Sequence, residues 1–398
     1  MLLGLPPEKV RVIYTRGSGC YGINGADTVS YDAALLSHAV GKPVRVQLSR
    51  QDEMAWENYG FAYVIDQRAG IDANGQIIAW EYEAWSPSLG GRPGYDQPGN
   101  VVTGMLVGFE PAGVSPRAAT DPNGQLRNNS NAVPSYVAGC ISEQCGGTGT
   151  IRSERVLTHT VRSPFFTGPL RTPSRLQNTF AHECFMDELA ARANVDAVAF
   201  RRRHLKDPRL IAVLEGAAKA AKWETRVSPN PAQASAGSRR GRGISCVLYE
   251  GDNGYAALVA EVDVDVSSGV VTPRRFVVAH DCGPISNPDG VRNQIEGGVL
   301  QGLSRAMGEE VTWDAKKVTS IDWRTSHSLP LGFDVPVIET VLINRTDVPA
   351  TGAGETAITL VAAAVGNAIF DATQARVREV PFTAERVRRA IAERTRAH

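Results

Sequence analysis

Apolar positions recur at two periods along this chain, and the change from one to the other marks most of its elements. Period two appears first. Val10 to Thr15 reads as a short strand, and Pro43–Leu48 alternates at Val44, Val46 and Leu48. Val64, Ile65 and Ile71 precede Asp72-Ala-Asn-Gly75, and Ile77, Ile78 and Trp80 follow it. That turn between apolar runs predicts a hairpin over 63–85. Strands are also predicted over 256–266 and 270–279, joined at Ser267-Ser-Gly269. Helical spacing places Ala33, Ala34, Leu36 and Ala39 in a helix over 31–40. A second helix starts at Thr179 and packs through Ala181, Cys184, Phe185, Leu189, Ala190 and Ala193. Asp196 is a good cap for a third, over 197–205. Val291, Ile295, Val299, Leu303, Ala306 and Met307 line one face of a long helix. Gly297, Gly298 and Gly302 lie within it, at about 1 kcal/mol each against alanine, which implies close approach of another backbone or a bulky ligand. Residues 358–372 are almost wholly small or apolar, as in a buried helix, and an Arg-rich helix capped by Thr383 closes the chain, facing solvent or a partner.

Between these elements lie a Gly-, Pro- and Asn-rich loop over 86–150, an irregular stretch over 313–349 and a polar segment over 225–243. The last is the best internal boundary. The expected architecture is therefore α+β, with mixed sheets and helices in two sub-domains: 1–224, a linker over 225–243, and 244–398.

With 398 residues there is ample core for two or three domains. The 42 basic and 42 acidic residues balance to zero net charge. That argues against a nucleic-acid or anionic-membrane partner, which would need a basic excess. No stretch approaches the roughly 20 apolar residues of a membrane span, and the N-terminus lacks a basic secretory leader. Cytoplasmic location is expected, or periplasmic if a preceding portion carries a signal. Six cysteines without a CxxC spacing exclude a zinc ribbon and a c-type haem site, and the thiols are expected to be free and mostly buried. No side-chain metal-ligand set is read from the sequence.

Chemistry enters through loops. Thr351-Gly-Ala-Gly-Glu-Thr-Ala357 spaces two glycines before a carboxylate at the mouth of the apolar helix. Alone it reads as a capped turn, but a helix N-terminus also favours an ionised carboxylate, which is what a general base requires. Gly17–Gly25 carries four glycines in nine positions between a predicted strand and a helix, an amide nest suited to an anion or oxo group. Gly146-Gly-Thr-Gly149 reads as a plain loop rather than a phosphate cradle, since no clear helix follows it. Residues 162–177 combine Pro164, Pro169 and Pro173 with Arg162, Arg171 and Arg175 ahead of a helix. Stiff backbone and planar donors suit an anion, although taken alone such arginines are better read as surface salt-bridge partners.

Four stretches taken together carry a resemblance: Gly19–Asp27; Pro169–Gln177 with Phe185–Ala190; Asp281–Glu310; and Thr351–Ala372. In wording and order they resemble the molybdopterin-binding subunit of the xanthine oxidase family of molybdenum hydroxylases, in particular the bacterial branch that includes isoquinoline oxidoreductase and the nicotinate dehydrogenase large subunit. The resemblance implies that Cys20, Tyr21 and Gly22 lie beside the cofactor and that Arg171 and Gln177 line the substrate pocket. Asn287, Gln294, Glu296, Gly297, Gln301, Gly352 and Gly354 would hold the cofactor, and Glu355 would be the catalytic base. It implies a molybdopterin-type cofactor of open nucleotide form, cytosine dinucleotide being one. The implied reaction is hydroxylation of an N-heteroaromatic compound or an aldehyde with water as oxygen donor. The implied partners are a small [2Fe-2S] subunit, a cytochrome acceptor after it, and a separate N-terminal part of the same subunit. The sequence departs from the family in two ways. It begins close to the first motif, without the family's preceding Gly-Gln-Gly loop, and so reads as the C-terminal part of the subunit. It also has Thr-Pro-Ser-Arg where the animal enzymes carry an aromatic residue and glycines. A catalytically incomplete fragment serving as a binding or assembly module is the alternative. A NAD or flavin enzyme is disfavoured because no strand–GxGxxG–helix unit occurs.

Overall fold

A computed structural model describes residues 2–22, 29–87, 98–110, 135–136, 149–161, 163–230, 237–250 and 253–396. Ile23 to Asp27 of the first glycine loop, Cys140, Cys145, Gly146 to Thr148 and Arg162 lie outside the described residues.

The fold is α+β, as expected. Helices α1 (Val29–Val40) and α2 (Arg50–Trp56) lead into the hairpin β1 (Val64–Ile71) and β2 (Ile77–Ser86). The short helix α3 (Val102–Leu106) follows, then β3 (Ser153–Thr160), which pairs with β2 in parallel while β1 pairs with it antiparallel. Three helices come next: α4 (Arg175–Arg192), α5 (Ala197–Arg203) and α6 (Pro208–Ala220). The second sheet has the order β4 (Ser238–Leu248), β5 (Tyr255–Asp265), β6 (Val271–Asp281), β7 (Val337–Leu342). It is antiparallel except for β6 and β7, with α7 (Pro288–Met307) inserted between those two strands. A 3₁₀ turn over Ala357–Leu360 runs into α8 (Val361–Thr373), and α9 (Ala384–Arg396) closes the chain.

The second sheet is the partition of the molecule. One face, with Ile244, Cys246, Ala257, Val259, Val277 and Ala279, shares a core with the first sheet, α4 and α6. The other face, with Ala256, Leu258, Phe276 and Val278, packs under α7, α8 and α9. Strands buried on both faces carry near-continuous apolar runs, and Ala256–Ala260 is buried at every position. Helix α8 lies so close to β4 that a side chain on Gly243 would meet the Ala364 carbonyl oxygen at 2.2 Å. Only glycine fits there.

Asp196 caps α5 as predicted, accepting from Val198 N and Ala199 N at 3.0 Å each. The predicted crowding at the glycines of α7 is found at two of them: Gly298 faces Ile358 N and Gly302 faces Val361. Several expectations need correction. Residues 10–15 and 43–48 are extended but form no ladder among the described residues; alternation alone does not supply a partner strand. Helix α4 begins at Arg175, four residues before the predicted start. Helix α6 was not predicted, although Asp207 caps it, Pro208 opens it, and Leu210, Val213, Leu214 and Ala217 are buried along it. Strand β7 lies inside the stretch read as irregular, and 238–243, read as linker, is the first half of β4. Of the described cysteines, Cys184, Cys246 and Cys282 are buried free thiols and Cys20 is exposed. Among the described residues no helix is long and apolar enough to cross a membrane.

Candidate functional site

The loop from Pro169 to Ser174 is where the separate motifs meet. It enters α4 through Thr172 at φ 64° and Ser174 at φ 63°. Left-handed backbone at a β-branched residue is a rare conformation and costs on the order of 1–3 kcal/mol, held only when surrounding contacts enforce it. Those contacts come from the 351–357 loop. Thr172 N donates to Glu355 Oε1 at 3.1 Å, and the hydroxyls of Thr172 and Thr359 are 2.7 Å apart. The other carboxylate oxygen of Glu355 accepts from the Tyr249 hydroxyl at 2.8 Å. Glu355 is thus aimed by two donors from different parts of the chain, and Thr359 Oγ1 donates to its carbonyl at 3.2 Å.

Arg171 locks the same junction. Its Nε donates to Gly354 O at 2.5 Å, one Nη donates to both the carbonyl and the amide oxygen of Gln294 at 3.0 Å, and the other reaches Gln301 Oε1 at 3.4 Å. Every nitrogen of the guanidinium is engaged by protein. Burial pulls its pKa below the ordinary arginine value, against Tyr21, Glu355 and Tyr249, which favour the charged form. Tyr21 lies under it at 5.9 Å. Gly22, at φ 97°, packs on the Pro169 carbonyl so tightly that any Cβ would stand 2.3 Å from the oxygen. Gly352 N donates to Asn253 Oδ1 at 2.9 Å.

Arg175, one turn further on, is different. Its side chain is 6% exposed, with Glu250 Oε1 at 3.8 Å and the Tyr249 ring at 4.8 Å beneath it. Among the described residues, Nε and one Nη have no hydrogen-bond partner. Burial lowers its pKa to about 10, against the pull of Glu250, Tyr249 and Glu355. Two turns along α4, His182 is held at about 3, first by burial and then by the charges of Arg175 and Arg201.

The structure therefore brings together Tyr21, Gly22, Arg171, Gln294, Gln301, Gly352, Gly354 and Glu355. Gly297 and Gly354 edge the junction with open space: a Cβ on either would find its nearest neighbour at 4.0 Å, Arg171, and 3.8 Å, Gln294. Such a glycine-lined wall leaves room for a bulky flat group. Glu296 is half-buried nearby on α7, whereas Cys20 is exposed. Two predicted residues serve the fold directly. Asn287 caps α7, its Oδ1 accepting from Gly290 N at 2.9 Å. Gln177 donates to Phe61 O at 2.7 Å and lines a cleft of about 550 Å³ bounded also by Tyr59, Arg171, Thr172 and Trp323. Sequence reasoning missed Tyr249 and Thr172. A lone tyrosine past the end of a strand carries no pattern, and a backbone N–H carries none at all. Among the described residues no three His, Cys, Asp or Glu side chains gather as a metal-ligand set.

The sequence profile of the molybdopterin cofactor-binding domain matches residues 1–92 and, in a second form, 250–322. A nicotinate dehydrogenase subunit from Pseudomonas putida is 36% identical over 98% of this chain, which corresponds to 31% of that protein. The chain belongs to the molybdopterin-binding subunits of the xanthine oxidase family. The beta chain of isoquinoline 1-oxidoreductase from Brevundimonas diminuta is 26% identical over 96% of this molybdopterin-binding chain and 44% of its own length. The chain thus spans less than half of these relatives. Quinoline 2-oxidoreductase from Pseudomonas putida shares the fold, with a TM-score of 0.71 at 15% identity over 94% of this chain and 68% of that one. Molybdopterin-binding domains call for a molybdenum cofactor, and the glycine-lined wall between α7 and the 351–357 loop fits a flat pterin.

Proposed function

We propose that this chain is the cofactor-binding part of a molybdenum hydroxylase that oxidises an N-heteroaromatic compound or an aldehyde, with water as the oxygen source. Bound molybdopterin would supply the redox chemistry. Gly297, Gly354, Gln294 and Gln301 would hold it, with Tyr21 and Gly22 closing the near side. Arg171 positions rather than binds, because its donors are spent tying α7 to the Glu355 loop. Glu355 acts as general base. The observation that carries this role is the pair of donors on its carboxylate, Thr172 N and the Tyr249 hydroxyl, which fix its direction. In the same reading the two cofactor-binding sub-domains divide ahead of β4, within 225–237. The relatives above are named as parts of multi-subunit enzymes, and we extend that to a [2Fe-2S] partner that takes the electrons, with a cytochrome after it, in the cytoplasm.

The test is Glu355→Gln in the enzyme assembled with its partner subunits. Loss of a positioned base costs about 10²–10⁴ in rate, so turnover should fall by that factor while molybdenum content stays that of the wild type. Undiminished turnover would remove Glu355 from the role.

A further inference from the structure

Arg175 is the arginine of the junction whose donors are not consumed. Arg171, four residues earlier, spends all three nitrogens on Gly354, Gln294 and Gln301. Arg175 is as deeply buried, yet among the described residues Nε and one Nη have no hydrogen-bond partner. Its nearest acid, Glu250, is 3.8 Å away and 41% exposed, and Glu250 Oε2 is occupied by Asn253 at 3.3 Å. A contact of that length to a solvated group does not compensate a buried guanidinium. An unsatisfied buried donor is destabilising, more so when charged, and a buried charge lacking a close partner is among the least favourable groups a fold can keep. A fold that tolerates one here, stacked on the tyrosine that also holds Glu355, is poised to receive an acceptor from outside the chain.

We infer that Arg175 is an oxyanion-binding residue beside Glu355, taking a carboxylate or a phosphate in its planar fork. Resting on the reading of this junction as a hydroxylase site, the anion has two sources: the carboxylate of an aromatic substrate, or the phosphate of the cofactor. Both match the donor geometry. The Tyr249 ring fixes the guanidinium from below at 4.8 Å, so the anion would enter edge-on, on the side of Nε and the free Nη. His182, kept neutral two turns along α4, adds no competing charge.

The experiment is ligand binding to the full chain without molybdenum, by calorimetry and thermal shift, for wild type, Arg175→Met and Arg175→Lys. The probes are benzoate, its neutral counterpart benzamide, and inorganic pyrophosphate. Wild type should bind benzoate in preference to benzamide if the substrate supplies the anion, or pyrophosphate alone if the cofactor does. Arg175→Met should weaken the bound anion about tenfold to a hundredfold, as expected for a charge-assisted pair. Arg175→Lys should recover only part of it, since a point charge cannot replace the fork. Arg175→Met should also melt at or above the wild-type temperature in the absence of anion, because it removes an uncompensated buried charge. The inference is overturned if wild type binds neither anion better than benzamide, if Arg175→Met binds as well as wild type, or if Arg175→Met melts well below it, which would make Arg175 a structural ion-pair partner. Binding is read without turnover, so failure here leaves the role of Glu355 standing. Failure of Glu355→Gln to lose activity leaves anion binding standing.

Discussion

Arg175 and Arg201 flank the same histidine, His182, and both bear on it electrostatically. Arg201 is fully buried and fully matched. Its Nε donates to Glu183 Oε2 at 2.9 Å, one Nη to Glu183 O at 2.8 Å and the other to Asp187 Oδ1 at 3.2 Å. Those acids are held in turn, Glu183 Oε2 by Cys246 N and Asp187 Oδ2 by Arg376, each at 3.0 Å, while Glu183 Oε1 has no hydrogen-bond partner among the described residues. Arg175 has the same burial and almost none of this. A buried charge carries its desolvation penalty in either setting, and only the closed network offsets it internally. The closed network welds α4, α5 and β4 together. The open one sits where the 169–174 and 351–357 loops converge. Burial alone does not separate scaffold from site in this molecule; the state of the donors does.

Glu183 is where the contrast between the two arginines is largest. Replacing Glu183 by alanine leaves Arg201 charged and buried with its Nε unpaired, and breaking a buried ion pair typically costs about 3–5 kcal/mol. Urea unfolding should show that loss, whereas Arg175→Met should show none. If the two substitutions destabilise alike, the distinction between closed and open arginines is wrong.

Much of the scaffold side was legible. Asp72-Ala-Asn-Gly75 announced its hairpin and Asp196 its helix, because turn and cap chemistry is local. Glu183 and Asp187 are acids within an apolar helix, but their partner Arg201 lies on another helix, and only packing reveals it. Residues 10–15 and 43–48 alternate like strands, yet a ladder needs a non-local neighbour, and among the described residues they have none. Helix α6 was missed despite its Asp-Pro start. At the site, glycine spacing and position after the earlier motifs draw attention to Glu355, and the structure adds the two donors on its carboxylate. The roles of Arg171 and Arg175 were not, since the same Pro-rich stretch carries both and sequence cannot tell a spent guanidinium from a free one.

Tyr249 joins the two themes, since its ring supports Arg175 and its hydroxyl holds Glu355. Burial pushes this phenol well above its ordinary pKa, so it acts as a donor to the carboxylate and not as an acid. Tyr249→Phe keeps the ring under Arg175 and removes only the bond to Glu355. Turnover of the assembled enzyme should fall about tenfold, the low end for a hydrogen bond to a charged group, with KM and melting temperature little changed. A change in KM or stability with intact kcat would make Tyr249 a packing residue.

The smallest effect is the most direct reading of both arginines at once. His182 titrates near 3 in the folded protein, against an ordinary value of 6.5. Between those values the unfolded chain holds a proton that the folded one refuses. The stability this histidine contributes is therefore complete above pH 6.5 and drains away as the pH falls toward 3, at about 1.4 kcal/mol per pH unit. Burial is the first cause of the depression and the charge of Arg175 the second, ahead of Arg201. Arg175→Met removes the second cause and leaves the first. The His182 titration, followed by NMR and assigned with His182→Asn, should move up by less than about one pH unit, and the acid loss of stability should end at a correspondingly higher pH. An anion bound to wild-type Arg175 should shift the same resonance in the same direction, because it neutralises the same charge. A histidine that ignores both the substitution and the anion would mean that the charge of Arg175 is already compensated by a group inside the fold.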